Sequence, residues 1–447
     1  MTNYPTFPQG AWQGLFQDYR QLVGPTTEAP DAFLWGSMAA AWSVLLGRAV
    51  RIPNTIDPIS PVIHVALLGD TGVARKSSAV SDAVNIVVNP LKVILQGVPG
   101  EPCPVEVVNG SGSGEGFMEQ LADRHWWPPS VQGKKTAANA NIQTGRRALF
   151  TVAEFGGLLE KISRDQAGSM ESFLLESFDA KDSWVHATRR REGADPLVVT
   201  RGAGVVCGCS TVEWLGDALT QAQVKIGLVN RFLWIVGAPQ QHFIAFRGLA
   251  DPTKRSTFEY QALAAYKTAL TRGDYILDAK ALALHEASYC FFRQQKRTSL
   301  MHAAVARSDV IALRLSIIIC IACNDTMIRE DHMRAAWAVT SFSNECVEWI
   351  LSRVQTKEIG EAEDRILDRI HVVLAARKHP RNRDGSFTKK DIREGLTRMS
   401  SELFVRAWAA LMLSEQIMEY GQTKAKTTGA ILSILYHLTP DDADRQH

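Results

Sequence analysis

The chain has 447 residues, of which 46% are hydrophobic and 21% are charged, and its formal net charge is +2. These values are typical of a globular protein with a large core, and they exclude a disordered or strongly basic chain. The seven cysteines lie in apolar segments and predict free thiols in a reducing, cytoplasmic compartment. Because the apolar runs are short and no secretory signal pattern is visible, we expect no membrane association.

The order of predicted elements divides the chain into four regions. Residues 1–60 predict two amphipathic helices, at about Trp12–Val23 and Asp31–Leu46, and residues 61–245 alternate strands with helices. That alternation predicts an α/β domain with a mostly parallel sheet covered on both faces. Residues 246–355 are helical by periodicity, and residues 361–447 form a separate domain after a linker or helix start at Gly360.

An apolar strand at His64–Leu68 opens into a glycine-bearing turn and then into a helix from about Ser77 to Val88. A phosphate-binding P-loop has this context, with backbone N–H groups and the helix N-terminus around the phosphates. Lys76 would contact the outer phosphates of ATP, and the Ser77 hydroxyl would bind Mg²⁺. The residues expected to bind the nucleotide here are Gly69, Asp70, Thr71, Gly72, Val73, Ala74, Arg75, Lys76, Ser77 and Ser78.

The P-loop pattern is imperfect, because it requires glycine directly before the lysine and another five residues earlier. Arg75 and Asp70 occupy these positions. A side chain at the first of them limits left-handed backbone geometry. The alternative interpretation is an ordinary strand-to-helix turn with a serine that caps the helix.

A second apolar strand ends in Glu154, which is where a nucleoside triphosphatase needs a carboxylate to polarise the attacking water. The alternative is a solvated glutamate at a strand end. A third apolar strand ends in Ser210 and Thr211, whose hydroxyls would sense the terminal phosphate. Arg231 precedes a further apolar run, and it is either an arginine that reaches a neighbouring subunit's nucleotide or a structural, salt-bridged arginine.

The order of six motifs carries a resemblance. The motifs are ARKSS, SGSGEG, LFTVAEFGGLL, LLESFDAKD, GCSTVEWL and GLVNRFLW. The series resembles a family of prokaryotic helicase-like ATPases of phages, plasmids and integrated elements, often associated with primase-polymerase domains. The resemblance extends from about Thr27 to about Arg353. It implies a RecA- or AAA+-type core, with Glu154, Lys76, Arg231 and Arg307 as catalytic residues, Arg307 being a candidate second sensor of nucleotide.

Two basic segments are candidate DNA contacts within the first 245 residues. Lys134 and Lys135 lie in a polar stretch before the Glu154 strand. The arginine triplet, Arg189, Arg190 and Arg191, lies at the tip of a predicted β-hairpin. Ring-forming motors use such cations on strand phosphates, whereas a solvated surface hairpin is the alternative.

Residues 361–447 resemble a winged-helix domain, with Thr388 as the predicted N-cap of its second helix and a β-wing near its end. Lys389, Lys390 and Arg393 are its candidate DNA contacts, although winged helices also bind proteins.

Together these features predict an ATP- and Mg²⁺-dependent DNA helicase or translocase of a mobile element. It would form a homo-oligomer, with a hexamer expected, and would need a separate primase. The alternatives are a nucleic-acid-sensing regulatory or defence ATPase without unwinding, and a DNA-binding scaffold with a degenerate P-loop.

Overall fold

A computed structural model describes residues 4–53, 56–70, 74–94, 103–110, 112–126, 140–164, 168–179, 182–186, 196–212, 214–215, 224, 227–238, 243–245, 247–248, 250–375, 387–414, 416–424 and 431–438. The chain divides into two compact units, Met1–Ile350 and Leu351–His447. The four domains expected from the sequence stay a prediction. Within the described ranges, no helix is both long and apolar enough to cross a membrane.

The strands are named here in chain order. They are β1 (His64–Leu68), β2 (Val105–Asn109), β3 (Arg124–Trp126), β4 (Asn141–Gln143), β5 (Arg147–Val152), β6 (Ser183–His186), β7 (Leu197–Thr200), β8 (Ala203–Ser210), β9 (Phe232–Val236), β10 (Phe387–Thr388), β11 (Ile417–Lys424) and β12 (Ile431–Leu438).

The helices follow the same convention. They are α1 (Leu15–Val23), α2 (Asp31–Leu46), α3 (Lys76–Ala83), α4 (Asn89–Ile94), α5 (Gly114–Leu121), α6 (Phe155–Arg164), α7 (Ser169–Asp179), α8 (Pro252–Arg272), α9 (Ala279–Gln294), α10 (Ser299–Ala304), α11 (Ser308–Ala322), α12 (Glu330–Ala375), α13 (Lys389–Arg393) and α14 (Ser401–Leu413).

The first unit is built on a five-stranded, all-parallel sheet with the order β2-β5-β8-β1-β9. Every residue of the central strands β1 and β8 and of the edge strand β9 is buried, as expected for strands covered on both faces. The sequence prediction of an α/β fold with a mostly parallel sheet is therefore confirmed. Because the strands run in the same direction, their carboxyl ends meet at one edge, where ligands bind in open α/β sheets.

Helix α2 packs against four of the sheet's strands, β1, β5, β8 and β9. It was expected to be amphipathic, but this prediction is wrong, because nearly every one of its residues is buried. A helix that is apolar on all sides belongs inside the core. Gly36 permits the close approach, since a Cβ there would lie 2.4 Å from Ile235 Cδ1.

The helix that follows β1 has an irregular middle. Between α3 and α4 the backbone forms a π-helical segment, Val84–Val88, so helical structure continues to Ile94. The predicted helix from about Ser77 to Val88 is present and is longer than expected. π-Helical segments are rare and occur frequently at functional sites.

Two antiparallel ribbons, β3–β4 and β6–β7, stand beside the sheet. The second ribbon confirms the predicted hairpin, with Trp184 opposite Val199. The ribbons are joined where they begin and end, because Asp123 accepts hydrogen bonds from the Thr200 N–H (3.0 Å) and hydroxyl (2.7 Å). In addition, the Gly145 N–H donates to the Thr200 carbonyl at 2.8 Å. Since β5 and β8 begin directly after these residues, both ribbons join the sheet at its amino edge.

Helices α8 to α12 confirm the helical character expected after residue 246. The linker or helix start predicted at Gly360 is wrong, because α12 continues through this position. One glycine costs a helix only about 1 kcal/mol, which the neighbouring residues offset.

The second unit contains the end of α12, a three-stranded sheet of order β10-β12-β11, and the helices α13 and α14. Its core includes Ile366, Phe387, Trp408 and Tyr436. Thr388 caps α13 as predicted, since its side chain accepts from the Asp391 N–H at 3.2 Å within a capping box.

Candidate nucleotide site at the carboxyl edge of the sheet

The loop after β1 lies between the carboxyl ends of β8 and β9. The Gly69 N–H donates to the Ser210 carbonyl at 3.3 Å, and the Gly237 N–H donates to the Leu68 carbonyl at 3.0 Å. A Cβ on Gly69 would lie 2.7 Å from the Ala74 Cβ, so the two sides of the loop approach each other as only glycine permits. Thr71, Gly72 and Val73, which were predicted to bind nucleotide, lie outside the described residues.

Arg75 has the backbone geometry of a glycine, with φ at 46° and ψ at 33°. Its guanidinium forms an ion pair with Glu28 at 2.7 Å, and Glu28 also accepts from the Ile244 N–H at 2.7 Å. The left-handed turn that the sequence pattern assigns to glycine is therefore present, although a residue with a Cβ occupies it. Such strained positions concentrate at ligand-binding and active sites.

Lys76 folds back over the loop that precedes it. Its ammonium donates to the carbonyl oxygens of Gly69 at 2.6 Å and of Asp70 at 3.1 Å. The Asp70 carboxylate in turn accepts from the Tyr4 hydroxyl at 3.3 Å. Burial raises the pKa of the Cys209 thiol to about 12, and the nearby Lys76 charge opposes this rise.

The two serines after Lys76 face different spaces. Ser77 is exposed and lines a cleft of about 520 Å³ toward β2, β5 and β8. Ser78 is half-buried and lines a smaller cavity of about 220 Å³ with Glu28, Arg75 and Arg247. The start of α3 therefore has open space on both sides, and the P-loop residues that the structure describes lie together.

Ser210 ends β8 directly beside this loop. Its side chain is 3% exposed, and its hydroxyl has no hydrogen-bond partner among the described residues. A buried polar atom without a partner requires an explanation, and a bound ligand is one. Thr211 has a local role, because its hydroxyl accepts from the Trp214 N–H at 3.2 Å.

Glu154 lies at the same edge, two strands away from the P-loop strand. It is exposed and stands between Ala153 at the end of β5 and the buried Phe155 that begins α6. Neighbouring strands lie about 4.8 Å apart, so β1 and β5 are separated by about 10 Å with β8 between them. This spacing leaves room for a group at the P-loop and a water molecule beside the carboxylate.

Arg231 and Arg307 lie elsewhere in the first unit. Arg231 directly precedes Phe232, which pairs with His64 at the beginning of β1, so it stands at the amino edge of the sheet. Five strand residues span about 16 Å, which separates this edge from the P-loop of the same chain. Asp179 joins the two arginines, accepting from Arg231 at 3.1 Å and from Arg307 at 2.9 Å.

These contacts favour the structural interpretation of Arg231 within one chain. Its side chain is 9% exposed, and it also donates to the Gly227 carbonyl at 2.8 Å. Burial lowers its pKa, and the Asp179 carboxylate opposes that effect. Arg307 is more accessible, with 35% of its side chain exposed.

Two buried residues of this region were missed from the sequence. Arg314 donates to the Val62 carbonyl, and its guanidinium carbon lies 3.9 Å from the Phe178 ring centre. His64 accepts from the Val206 N–H at 3.2 Å, and burial lowers its pKa to about 3. In the sequence, each of these two residues is marked only by its position inside an apolar run. That pattern does not show which residue it contacts.

The candidate DNA contacts are described in part. Lys134, Lys135 and the arginine triplet lie outside the described residues. In the second unit, Lys389 lies 5.3 Å from the Trp408 ring centre, and Arg393 donates to the carbonyls of Leu396 and Met399. Lys390 is 83% exposed, so it is the most accessible of the three predicted contacts.

No protein-family model matches the chain, and no curated protein sequence matches it.

Proposed function

We propose that the chain hydrolyses ATP with Mg²⁺ at the carboxyl edge of the first unit's sheet and acts as a ring-forming DNA helicase or translocase. The observation that carries this proposal is the beginning of α3, where a left-handed residue precedes a lysine held over its own loop. The ammonium lies beside the N-terminus of α3, and the free N–H groups at a helix N-terminus attract an anion. Phosphate oxygens would replace the two carbonyl oxygens that it now contacts.

The strand order supports a RecA- or AAA+-type core. β8 separates the P-loop strand from the carboxylate strand, so Ser210 would face the terminal phosphate while Glu154 reaches the attacking water. Glu154 would accept the proton of that water as it attacks in line with the leaving group. The Lys76 charge would balance the negative charge that develops on the phosphates.

The donors available for Mg²⁺ are few but fit its chemistry. Ser77 offers an exposed hydroxyl at the start of α3, whereas Ala153 offers no carboxylate beside Glu154. Mg²⁺ usually keeps several waters and binds through few protein groups together with substrate phosphates. When bound, it would supply positive charge to the phosphates, and Ser77 would hold it in place.

The separation of the two sheet edges supports a homo-oligomer. Arg231 and Arg307 stand about 16 Å from the P-loop edge of their own chain, so they would act on the nucleotide of a neighbouring copy. This requires Asp179 to release at least one of them. Arg307 is the better candidate, since it is the more exposed of the two.

The common attachment of the two ribbons supports DNA binding. β3–β4 leads into the segment with Lys134 and Lys135, and β6–β7 leads into the arginine triplet. Because Asp123 and Thr200 join the ribbons, the two ribbons that lead into the basic segments start from one corner of the sheet. In the second unit, the helices and the β11–β12 hairpin agree with a winged-helix-like fold, with Lys390 open to a partner.

An ATP hydrolysis assay with and without single-stranded DNA tests the proposal. Wild-type protein should hydrolyse ATP, and DNA should stimulate this hydrolysis. Lys76→Ala should lose hydrolysis and bind nucleotide more weakly, and Glu154→Gln should bind ATP but turn over at least ~100-fold more slowly. Absence of hydrolysis would favour the scaffold with a degenerate P-loop. DNA-stimulated hydrolysis without strand displacement on a forked duplex would favour the regulatory or defence ATPase.

A further inference from the structure

The cleft beside the P-loop helix has no role in the chemistry above. It lies between the helix that begins with α3 and the carboxyl ends of β2, β5 and β8. Its volume of about 520 Å³ is within the usual range of small-molecule sites. It begins at Ser77, so it is continuous with the proposed phosphate site.

One wall of the cleft is a row of polar side chains at every fourth helical position, namely Ser77, Ser81, Asn85 and Asn89. In a regular α-helix of 3.6 residues per turn, such a row drifts around the helix axis. The π-helical segment Val84–Val88 is wound more loosely and reduces that drift. As a result, all four side chains line the same cleft.

The asparagines form a hydrogen-bonded ladder along this wall. The Asn89 side-chain N–H donates to Asn85 Oδ1 at 3.2 Å, and the Asn85 N–H donates to Ser81 Oγ at 3.3 Å. Each amide has two N–H donors and an acceptor oxygen, so the ladder uses only part of their hydrogen-bonding capacity. It fixes the amide planes and leaves adjacent donors and acceptors at the cleft.

The rest of the cleft is apolar below and polar opposite. Val80, Val84 and Val152 lie among its apolar lining, and Asn109 and Thr151 face it from the strand ends. The Thr151 hydroxyl donates to Asn109 Oδ1 at 2.6 Å, which leaves the Asn109 amide nitrogen as a donor. None of the described residues that line the cleft is charged, so the cleft itself does not suit an anionic group.

We propose that this cleft binds a nucleobase, with Asn85 and Asn89 contacting its edge and the valines its face. An uncharged ring with adjacent donors and acceptors matches fixed amides, which read base edges in the same way in nucleic-acid complexes. The base belongs either to the nucleotide at the P-loop or to a DNA strand, so the inference rests on the proposed function. Asn85 lies eight helical residues, about 12 Å, from Ser77.

Binding measurements on Asn85→Leu and Asn89→Leu test this site. Leucine keeps the approximate size of the amide and removes its hydrogen bonds. The probes are ATP, inorganic tripolyphosphate, a thymidine oligonucleotide and an abasic oligonucleotide of equal length. We expect about a tenfold loss of affinity for ATP or for the thymidine oligonucleotide. Affinity for tripolyphosphate and for the abasic strand should stay within about twofold.

The matched control is Gln294→Leu, which makes the same kind of change at an exposed amide outside the cleft. The base-containing probe whose affinity decreases, ATP or the thymidine oligonucleotide, identifies the source of the base. Unchanged affinity for both base-containing probes would overturn the proposal and leave Asn85 and Asn89 as a solvated helix face. Failure of tripolyphosphate to bind the wild-type protein would instead contradict the P-loop. The two oligonucleotide probes would still test whether the cleft binds a base.

A measurement on wild-type protein covers the case in which a variant does not fold. Saturating ATP or thymidine oligonucleotide should slow amide hydrogen exchange in residues 84–89 by at least fivefold. The matching base-free probe, tripolyphosphate for ATP or the abasic oligonucleotide for the thymidine oligonucleotide, should leave exchange in these residues unchanged. Equal protection by the probes with and without bases would contradict base recognition in the cleft.

Discussion

Replacing Arg75 by glycine and by alanine separates two effects at the start of α3. Both variants lose the ion pair with Glu28. Only glycine also removes the steric penalty of a left-handed backbone at φ 46°. We therefore expect Arg75→Gly to hold the start of the helix more stably than Arg75→Ala.

The size of the difference follows from the geometry. A left-handed conformation costs a residue with a Cβ roughly 1–2 kcal/mol. Glycine avoids this cost, but its greater freedom in the unfolded chain lowers the free energy of unfolding by about 0.4–1 kcal/mol relative to alanine. The glycine variant should thus be more stable than the alanine variant by about 1 kcal/mol. The Arg75 side chain is 51% exposed, so its ion pair is worth only about 0.2–1 kcal/mol. Arg75→Gly should consequently lie close to wild type.

Hydrogen exchange at the Ala79 amide measures this locally, because that N–H donates to the Arg75 carbonyl at 3.2 Å. A difference of 1 kcal/mol corresponds to about a fivefold faster exchange in Arg75→Ala than in Arg75→Gly. The Ile311 amide, which closes an unrelated helix start, is the internal control. Equal rates in the two variants, or faster exchange in the glycine variant, would refute the left-handed geometry and the P-loop shape built on it.

Three further predictions concern the proposed machine and its core. Mixing Arg307→Ala with Lys76→Ala protein should restore some ATP hydrolysis, and no recovery in rings that exchange subunits would contradict action on a neighbour. Alanine at all three positions of the arginine triplet should reduce DNA-stimulated hydrolysis, flatten the salt dependence of DNA binding and spare basal hydrolysis; unchanged stimulation would make the hairpin a solvated surface feature. The lowered pKa of His64, about 3 against 6.5, means that the unfolded chain takes up its proton first as the pH falls. The free energy of unfolding should therefore decrease by up to about 1.4 kcal/mol per pH unit between about pH 6.5 and about pH 3. Urea unfolding at pH 7 and 5 should show a smaller decrease in His64→Leu.

Local patterns in the sequence predicted where the helices and strands lie better than they predicted which elements pack against each other. The apolar runs of β1, β8 and β9 identified strands buried on both faces, because such burial removes the alternation of polar and apolar residues seen in exposed strands. The capping box of α13 was equally local. Helix α2 was misjudged, although its residues after Asp31 are apolar or small on all sides, which is the pattern of a buried helix. The π-helical segment and the continuity of α12 through Gly360 depend on packing that the sequence does not display.

For the candidate site, the sequence predicted which residues follow each strand but not how they are held. The left-handed turn at Arg75 lies where the P-loop pattern requires glycine. Arginine in place of glycine therefore raises the free-energy cost of the turn but keeps its geometry. Asp179 lies 52 positions from Arg231 and 128 from Arg307, and no local pattern connects residues so far apart. Its carboxylate joins the two arginines, which the sequence analysis identified separately, in one ion-paired cluster.

That cluster bears directly on how the proposed ring would work. An arginine that leaves Asp179 for a buried contact with a neighbouring copy needs another anion there, because an uncompensated buried charge costs several kcal/mol. The phosphates of a neighbouring copy would supply that anion only when ATP is bound there. Asp179, which is 29% exposed, would then return to water at little cost and take the arginine back after phosphate leaves. The ion pair within one chain and the proposed contact between chains would then be alternatives, and nucleotide bound at one P-loop would decide between them in the next subunit.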